Sequence, residues 1–194
     1  MEFQTKKHWK DHLRLVNNIV VQGLVRCTDW SRTPITFSKE DLRLESYPHA
    51  DAMVITTNVA GWGISKILLD SGSSIDIIFA GIFDQMKISR SHLQPSESPL
   101  IGYGGKQIHA LGKVTLPVSF STAENARTEY ITFDVVDLHY PYNAIFGQGF
   151  LNRFNAAAHM GYLCMKILAL HGVITVHGSQ KEARNIEKAI YKSY

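Results

Sequence analysis

Val54-Ile55-Thr56-Thr57-Asn58-Val59 and Ile64-Ser65-Lys66-Ile67-Leu68-Leu69 are two aliphatic, β-branched runs separated by Gly61-Trp62-Gly63, and the second stops at Asp70-Ser71-Gly72. Runs of this length joined by so short a glycine link predict an antiparallel hairpin turning at Gly61-Trp62-Gly63. No other feature constrains the chain as tightly, because the hairpin delivers a carboxylate at the end of an apolar strand.

Asp, Ser and Gly are the residues that turns are made of, so the triplet alone says little. Its context says more. Three large aliphatics precede Asp70, and Ser71-Gly72-Ser73-Ser74 follow it. Small residues let backbone amides and hydroxyls come close to a carboxylate, and Gly72 permits a conformation that a Cβ would hinder. A surface turn needs neither the apolar approach nor the run of small residues.

Around this point the chain reads as three zones. Residues 1–33 form a basic extension in which Trp9, Leu13, Val16, Val20 and Leu24 share one helical face, with Lys6, Lys7, Lys10 and Arg14 at its start. A solvated helix face is the expectation there, and nucleic-acid binding is not expected. Residues 34–178 are β-rich. Ala80 to Met86 can form a short helix, and Leu100 to Phe120 gives two strand-like arms around Gly102, Gly104, Gly105 and Gly112. Tyr130 to Val136 alternates as a strand, Asn143 to Gly147 follows, and Phe150 to Phe154 suits a helical turn. A hairpin is expected over Tyr162 to Val176, turning at His171-Gly172. Residues 179–194 read as a helical tail, with Ser179 as N-cap and Glu182 three residues on.

Composition narrows the chemistry. The 194 residues are 45% hydrophobic and 19% charged, with a formal charge of +3, which suits one globular domain with extensions. The two cysteines, Cys27 and Cys164, are expected as reduced packing residues. Nine histidines are scattered, with a lone His-x-x-x-His spacing at His8 and His12, and no Cys-x-x-Cys occurs; no metal or cofactor is expected. His159 and His171 flank Cys164 but are expected to pack. There is no Gly-x-Ser-x-Gly elbow and no phosphate-binding loop. The N-terminus has no apolar core behind its charges, and Ile75 to Phe83 is too short to span a bilayer. A cytoplasmic protein without membrane contact is the expectation.

Leu69-Asp70-Ser71-Gly72-Ser73-Ser74-Ile75-Asp76-Ile77-Ile78-Phe79 resembles the active-site loop of retropepsin-like aspartic proteases. Ile35-Thr36-Phe37, Glu40-Asp41 and Pro48-His49-Ala50-Asp51-Ala52 resemble the lead-in of plant Ty3/Gypsy-type LTR retrotransposon polyproteins. Tyr142-Asn143-Ala144-Ile145-Phe146-Gly147 resembles their second motif, two hydrophobics and a glycine. The resemblance spans roughly residues 34 to 180. It implies a mainly β, closed-barrel acid-protease fold working as a homodimer, one Asp70 per subunit, on a polypeptide substrate. Two carboxylates about 3 Å apart cannot both ionise, so such a pair shares one proton. One activates water and the other polarises the peptide carbonyl. Ser71 would bond across the dimer axis, Gly72 would meet the substrate strand, and Ser73 would bond the outer Asp70 oxygen. Ile101, Tyr103, Gly104 and Gly105 fall where the family has its flap. Ile145, Phe146 and Gly147 are expected to pack under the catalytic loop.

Two positions depart from the family. Gln148 stands where an arginine usually follows the glycine, and Ser74 stands where its acidic partner is expected. That ion pair is therefore absent. The expected function is an aspartic endopeptidase that processes a retrotransposon polyprotein; the alternative is a catalytically impaired dimerisation or binding module.

Overall fold

The computed structural model describes residues 33–96, 99–102 and 105–192. Nearly all of the basic extension, Cys27 included, lies outside them, as do Tyr103 and Gly104. In chain order the strands are β1 (Val54–Val59), β2 (Trp62–Leu69), β3 (Ile77–Phe79), β4 (Leu100–Ile101), β5 (Gln107–Ile108) and β6 (Gly112–Ser121). They continue with β7 (Ala126–Val136), β8 (Ala144–Phe146), β9 (Ala157–His159), β10 (Cys164–Ala169) and β11 (Gly172–His177). Helices α1 (Ala80–Gln85), α2 (Gln148–Phe154) and α3 (Gln180–Lys192) lie between or after them.

β1 and β2 form the expected hairpin, but its turn is Ala60-Gly61, with Val59 opposite Trp62. Both turn residues take positive φ, 50° and 86°, the backbone that a two-residue hairpin requires. The Asn58 side chain accepts the Gly61 amide at 2.9 Å and braces it. Trp62 and Gly63 therefore belong to β2. Strands β1, β2, β8, β3, β7 and β6 close in that order into a barrel. β8 lies parallel to β2 and antiparallel to β3, so it is inserted between the strand that ends at Asp70 and the strand that resumes at Ile77. The long β6–β7 hairpin completes the wall, with Pro117 accommodated opposite Tyr130.

The expected arms over Leu100 to Phe120 resolve into two structures. β4 and β5 make a separate short hairpin, and β6 belongs to the barrel. The hairpin expected at His171-Gly172 turns one residue earlier, since Ala169 pairs with Gly172. Its strand β10 also pairs with β9, giving a three-stranded sheet. Met165, Ile167, Ala169 and Ile174 of that sheet join the barrel core. Its other face meets the lead-in, where Lys166 donates to the Thr36 carbonyl and the Asp41 carboxylate, both at 2.8 Å. Cys164 is a buried free thiol, and burial pushes its pKa up, as befits a packing residue rather than a nucleophile.

An aromatic chain anchors the region behind the cleft. Phe150 and Phe154, one turn apart on α2, stack with centroids 4.8 Å apart, and Phe146 of β8 lies 4.4 Å from Phe150. Phe120 and Phe133 extend the chain into β6 and β7. All three residues Phe146, Phe150 and Phe154 are fully buried. The turn between β8 and α2 is thus pinned on both sides.

Helix α3 is not a free tail. Ala183 and Ile186 are buried in a cluster with Val54, Phe79, Val136 and Tyr142. Ser179 caps it, accepting the Glu182 amide at 3.2 Å. Gln180 and Arg184 hold the lead-in through Asp51, Ser46 and the Glu45 amide. No helix among the described residues is long and apolar enough to cross a membrane.

Candidate active site

Asp70 leaves β2 where the parallel pairing with β8 ends, one residue past the Leu69–Phe146 pair. Its amide continues the ladder by donating to the Phe146 carbonyl at 2.9 Å. The chain then turns at once. The Ser73 amide donates to the Asp70 carbonyl at 3.1 Å, and the Gly72 amide to Asp70 Oδ1 at 2.9 Å. An amide aimed at a carboxylate oxygen fixes the side chain's direction.

The second motif is tied to this loop at several points. The Gln148 amide donates to the Ser73 carbonyl at 2.9 Å, and its side-chain Nε2 donates to the Ser71 carbonyl at 3.2 Å. Gln148 therefore bonds the loop backbone, although it cannot make the ion pair of an arginine. Gly147 is required by the close approach itself. A Cβ there would run into the carbonyl oxygens of Ile75 and Ser73. Beneath both loops lies Asp76, 5% exposed, whose Oδ1 accepts the Gly147 amide at 2.7 Å and the Phe150 amide at 3.2 Å. Burial pushes its carboxyl above the ordinary carboxylate range, against the pull of these amides.

Asp70, Gly72 and Ser73 open on a cleft of about 720 Å³. Ile77, Phe79, Val136 and Ile145 form its apolar wall, Leu138 and Tyr140 its rim, and Leu100, Ile101, Gly102 and Ile108 its cover. The cover is the β4–β5 hairpin. The Gly102 amide donates to the Lys106 carbonyl at 2.9 Å and the Gly105 amide to the Gly102 carbonyl at 3.0 Å. Gly105 has φ of 78°, and Ile101 is 71% exposed.

Two sequence expectations change. The Ser73 hydroxyl does not bond the Asp70 carboxylate; it donates to the Ile75 carbonyl at 2.7 Å, a local turn contact. Ile145 does not pack under the loop with Phe146 and Gly147. Successive strand residues face opposite ways, so Ala144 and Phe146 enter the core while Ile145 faces the cleft. Ser71 is exposed and is not among the residues that line the cleft. It borders a smaller apolar hollow with Leu69, Leu151, Ala156, Ala158 and Met160. Sequence reading passed over Asp76, although a charged residue inside Ile75-to-Phe79 was a visible signal. It also passed over Asp134 and Lys113, which line the cleft from β7 and β6.

No protein-family model matches the sequence, and no curated protein sequence is significantly similar to it. Solved structures do match. The crystal structure of the retroviral protease-like domain of Ddi1 from Leishmania major superposes with a TM-score of 0.51. It is 14% identical and is matched over 68% of this chain and 96% of its own. The fold is retropepsin-like. The crystal structure of a retropepsin-like aspartic protease from Rickettsia conorii also aligns, with TM-score 0.43, 18% identity, and coverage of 63% and 83%. At these identities the likeness concerns the fold. Within that retropepsin-like fold, the Asp70-Ser71-Gly72 triplet and the Ile145-Phe146-Gly147 turn are joined by the hydrogen bonds above.

Proposed function

We propose that this chain is a retropepsin-type aspartic endopeptidase, completed when the Asp70 of one copy meets the Asp70 of another. The observation that carries the reading is the position of Asp70. It ends β2, is held by the Gly72 amide and the Phe146 carbonyl, and opens on a cleft covered by a glycine hairpin.

One carboxylate does not suffice for this chemistry. A second one nearby forces the pair to share a proton, so that one member takes a proton from water and the other donates to the peptide carbonyl. This sequence contains a single Asp-Ser-Gly, and in this reading the second comes from another copy. Exposed Ser71, the apolar hollow beside it and β9, an edge strand among the described residues that borders the hollow, support pairing on this side. An extended peptide would lie between the Ile77–Ile145 wall and the β4–β5 hairpin, adding its backbone like another strand. The motif resemblance to plant Ty3/Gypsy-type polyproteins makes polyprotein processing the proposed task, with Asp70 catalytic and Ser71, Gly72, Ile101 and Gly105 around it.

The missing ion pair between positions 148 and 74 favours a second reading, a dimeric binding module without activity. Cleavage assays separate the two. Wild type should cut apolar-rich peptides with a bell-shaped pH profile, and Asp70→Asn should abolish cutting while remaining folded. Undiminished cleavage by Asp70→Asn sinks the mechanism. A folded wild-type dimer that binds peptides without cutting them supports the second reading.

A further inference from the structure

The wall of the cleft is apolar through Ile77, Val136 and Ile145, yet Asp134 sits within it, 4% exposed. The register of β7 puts it there. Asp134 lies beside Ile77 of β3 and opposite Lys113 of β6, and laterally paired residues share a sheet face. Its Oδ1 accepts the Ser96 hydroxyl at 3.2 Å and faces Lys113 Nζ at 4.0 Å. The Lys113 side chain is 44% exposed, a counter-charge at the rim rather than a bonded partner. An ionised carboxylate offers about four acceptor sites. Among the described residues none donates to Oδ2.

Oδ2 is thus an open acceptor in an otherwise apolar wall; a ligand that covers it without a donor would strand it, and a ligand that brings a donor would not. We infer that Asp134 is a specificity-determining residue of the cleft, selecting a substrate side chain with N–H donors (arginine, lysine, glutamine or asparagine) at a subsite apart from the scissile bond. The residues next to that bond meet Ile77, Ile101 and Ile145 and are apolar. Lys113 does not set the preference. Its ammonium lies at the exposed rim, whereas the Asp134 carboxylate is set into the wall that a ligand would cover. The inference rests on the proteolytic reading, since it assigns a peptide to this cleft.

Binding to the full chain carrying Asp70→Asn tests it without requiring turnover. The probes are fluorescent apolar peptides bearing Arg, Gln, Leu or Glu at one position at a time, read by anisotropy. At one position Arg and Gln should bind about tenfold tighter than Leu, as expected where a site's buried polar group is otherwise left unpaired. Adding Asp134→Leu should erase that advantage while the all-apolar peptide still binds. The nearly isosteric Asp134→Asn should erase the advantage of Arg over Gln. An Arg preference unchanged in both variants overturns the inference, as does a Glu preference that Lys113→Met removes. Wild-type cleavage without any Arg or Gln preference also overturns it and leaves the proteolytic reading standing. Failure of every peptide to bind or be cut overturns the proteolytic reading, and this inference with it.

Discussion

The Asp76 carboxylate accepts the Gly147 amide at 2.7 Å and so ties the acid loop to the glycine turn from beneath. The same oxygen accepts the Phe150 amide at 3.2 Å, which secures the first turn of α2. A link between these two loops therefore exists inside one copy, without the ion pair that positions 148 and 74 lack. Asp76→Ala would leave two buried amides without partners. That costs about 2–4 kcal/mol, whereas Asp76→Asn keeps a carbonyl acceptor and costs less. Urea unfolding would measure both. An Asp76→Ala protein as stable as wild type would show that the link is idle.

The pH dependence of the same group has a definite sign. Burial raises the folded-state pKa of Asp76 above its unfolded value. Between those two values the folded chain holds more protons than the unfolded one, so this group's contribution to stability falls as pH rises. Asp51 behaves oppositely. Its hydrogen bonds from Arg184 lower its pKa, and its contribution is lost as pH falls through the lowered value. Comparing wild type with Asp76→Asn isolates the first effect. Their stability difference should shift in favour of wild type from about pH 7 to about pH 4. A flat difference across that window, or one of the opposite sign, would refute the assignment.

The sheet elements and the acid loop were legible because alternation and apolar runs report burial directly. Val54 to Leu69 read as a hairpin, and Asp70 read as its end. The turn was misplaced by one residue because Ala60 takes a left-handed backbone that its identity does not advertise. Ile145 was assigned to the core because an apolar letter does not say which face it occupies; only its pairing beside Leu68 does. β9, Ala157–His159, gave no signal, since its short and partly polar run becomes a strand only by pairing with β10. Asp134 was hidden for the same reason. Its place in the cleft is set by neighbours from β3 and β6.

Arg127 is a second tie that sequence could not reveal. The residue is 9% exposed and donates to the carbonyls of Phe154, Leu168 and Arg153 at 2.7, 2.9 and 2.9 Å, and to Glu129. It joins β7 to the end of α2 and to β10. Arg127→Ala should cost about 3–5 kcal/mol, because it strands buried carbonyls as well as removing a charge. Arg127→Lys should recover little, since an ammonium cannot reproduce the planar fork. Thermal or urea unfolding decides this. A loss below about 1 kcal/mol for the alanine variant would make the contacts incidental.

Assembly gives the test most specific to this chain. If two Asp70 carboxylates are needed, specific activity must rise with protein concentration until the dimer saturates. The Gln148 side chain bonds the Ser71 carbonyl of its own chain, and Ser74 is exposed without a charge. The dimer should accordingly be looser than one braced by an arginine and an acid. Gln148→Arg together with Ser74→Asp introduces that brace. Its gain depends on burial, from a few tenths of a kcal/mol at a wet rim to more in a closed interface. A gain of about 1.4 kcal/mol would lower the concentration at half-maximal activity about tenfold. Neither single change should match the pair, because each introduces one charge without its partner. Sedimentation across a dilution series should track the activity curve. Full cleavage by a strictly monomeric protein, independent of concentration, would overturn the two-carboxylate mechanism for this chain.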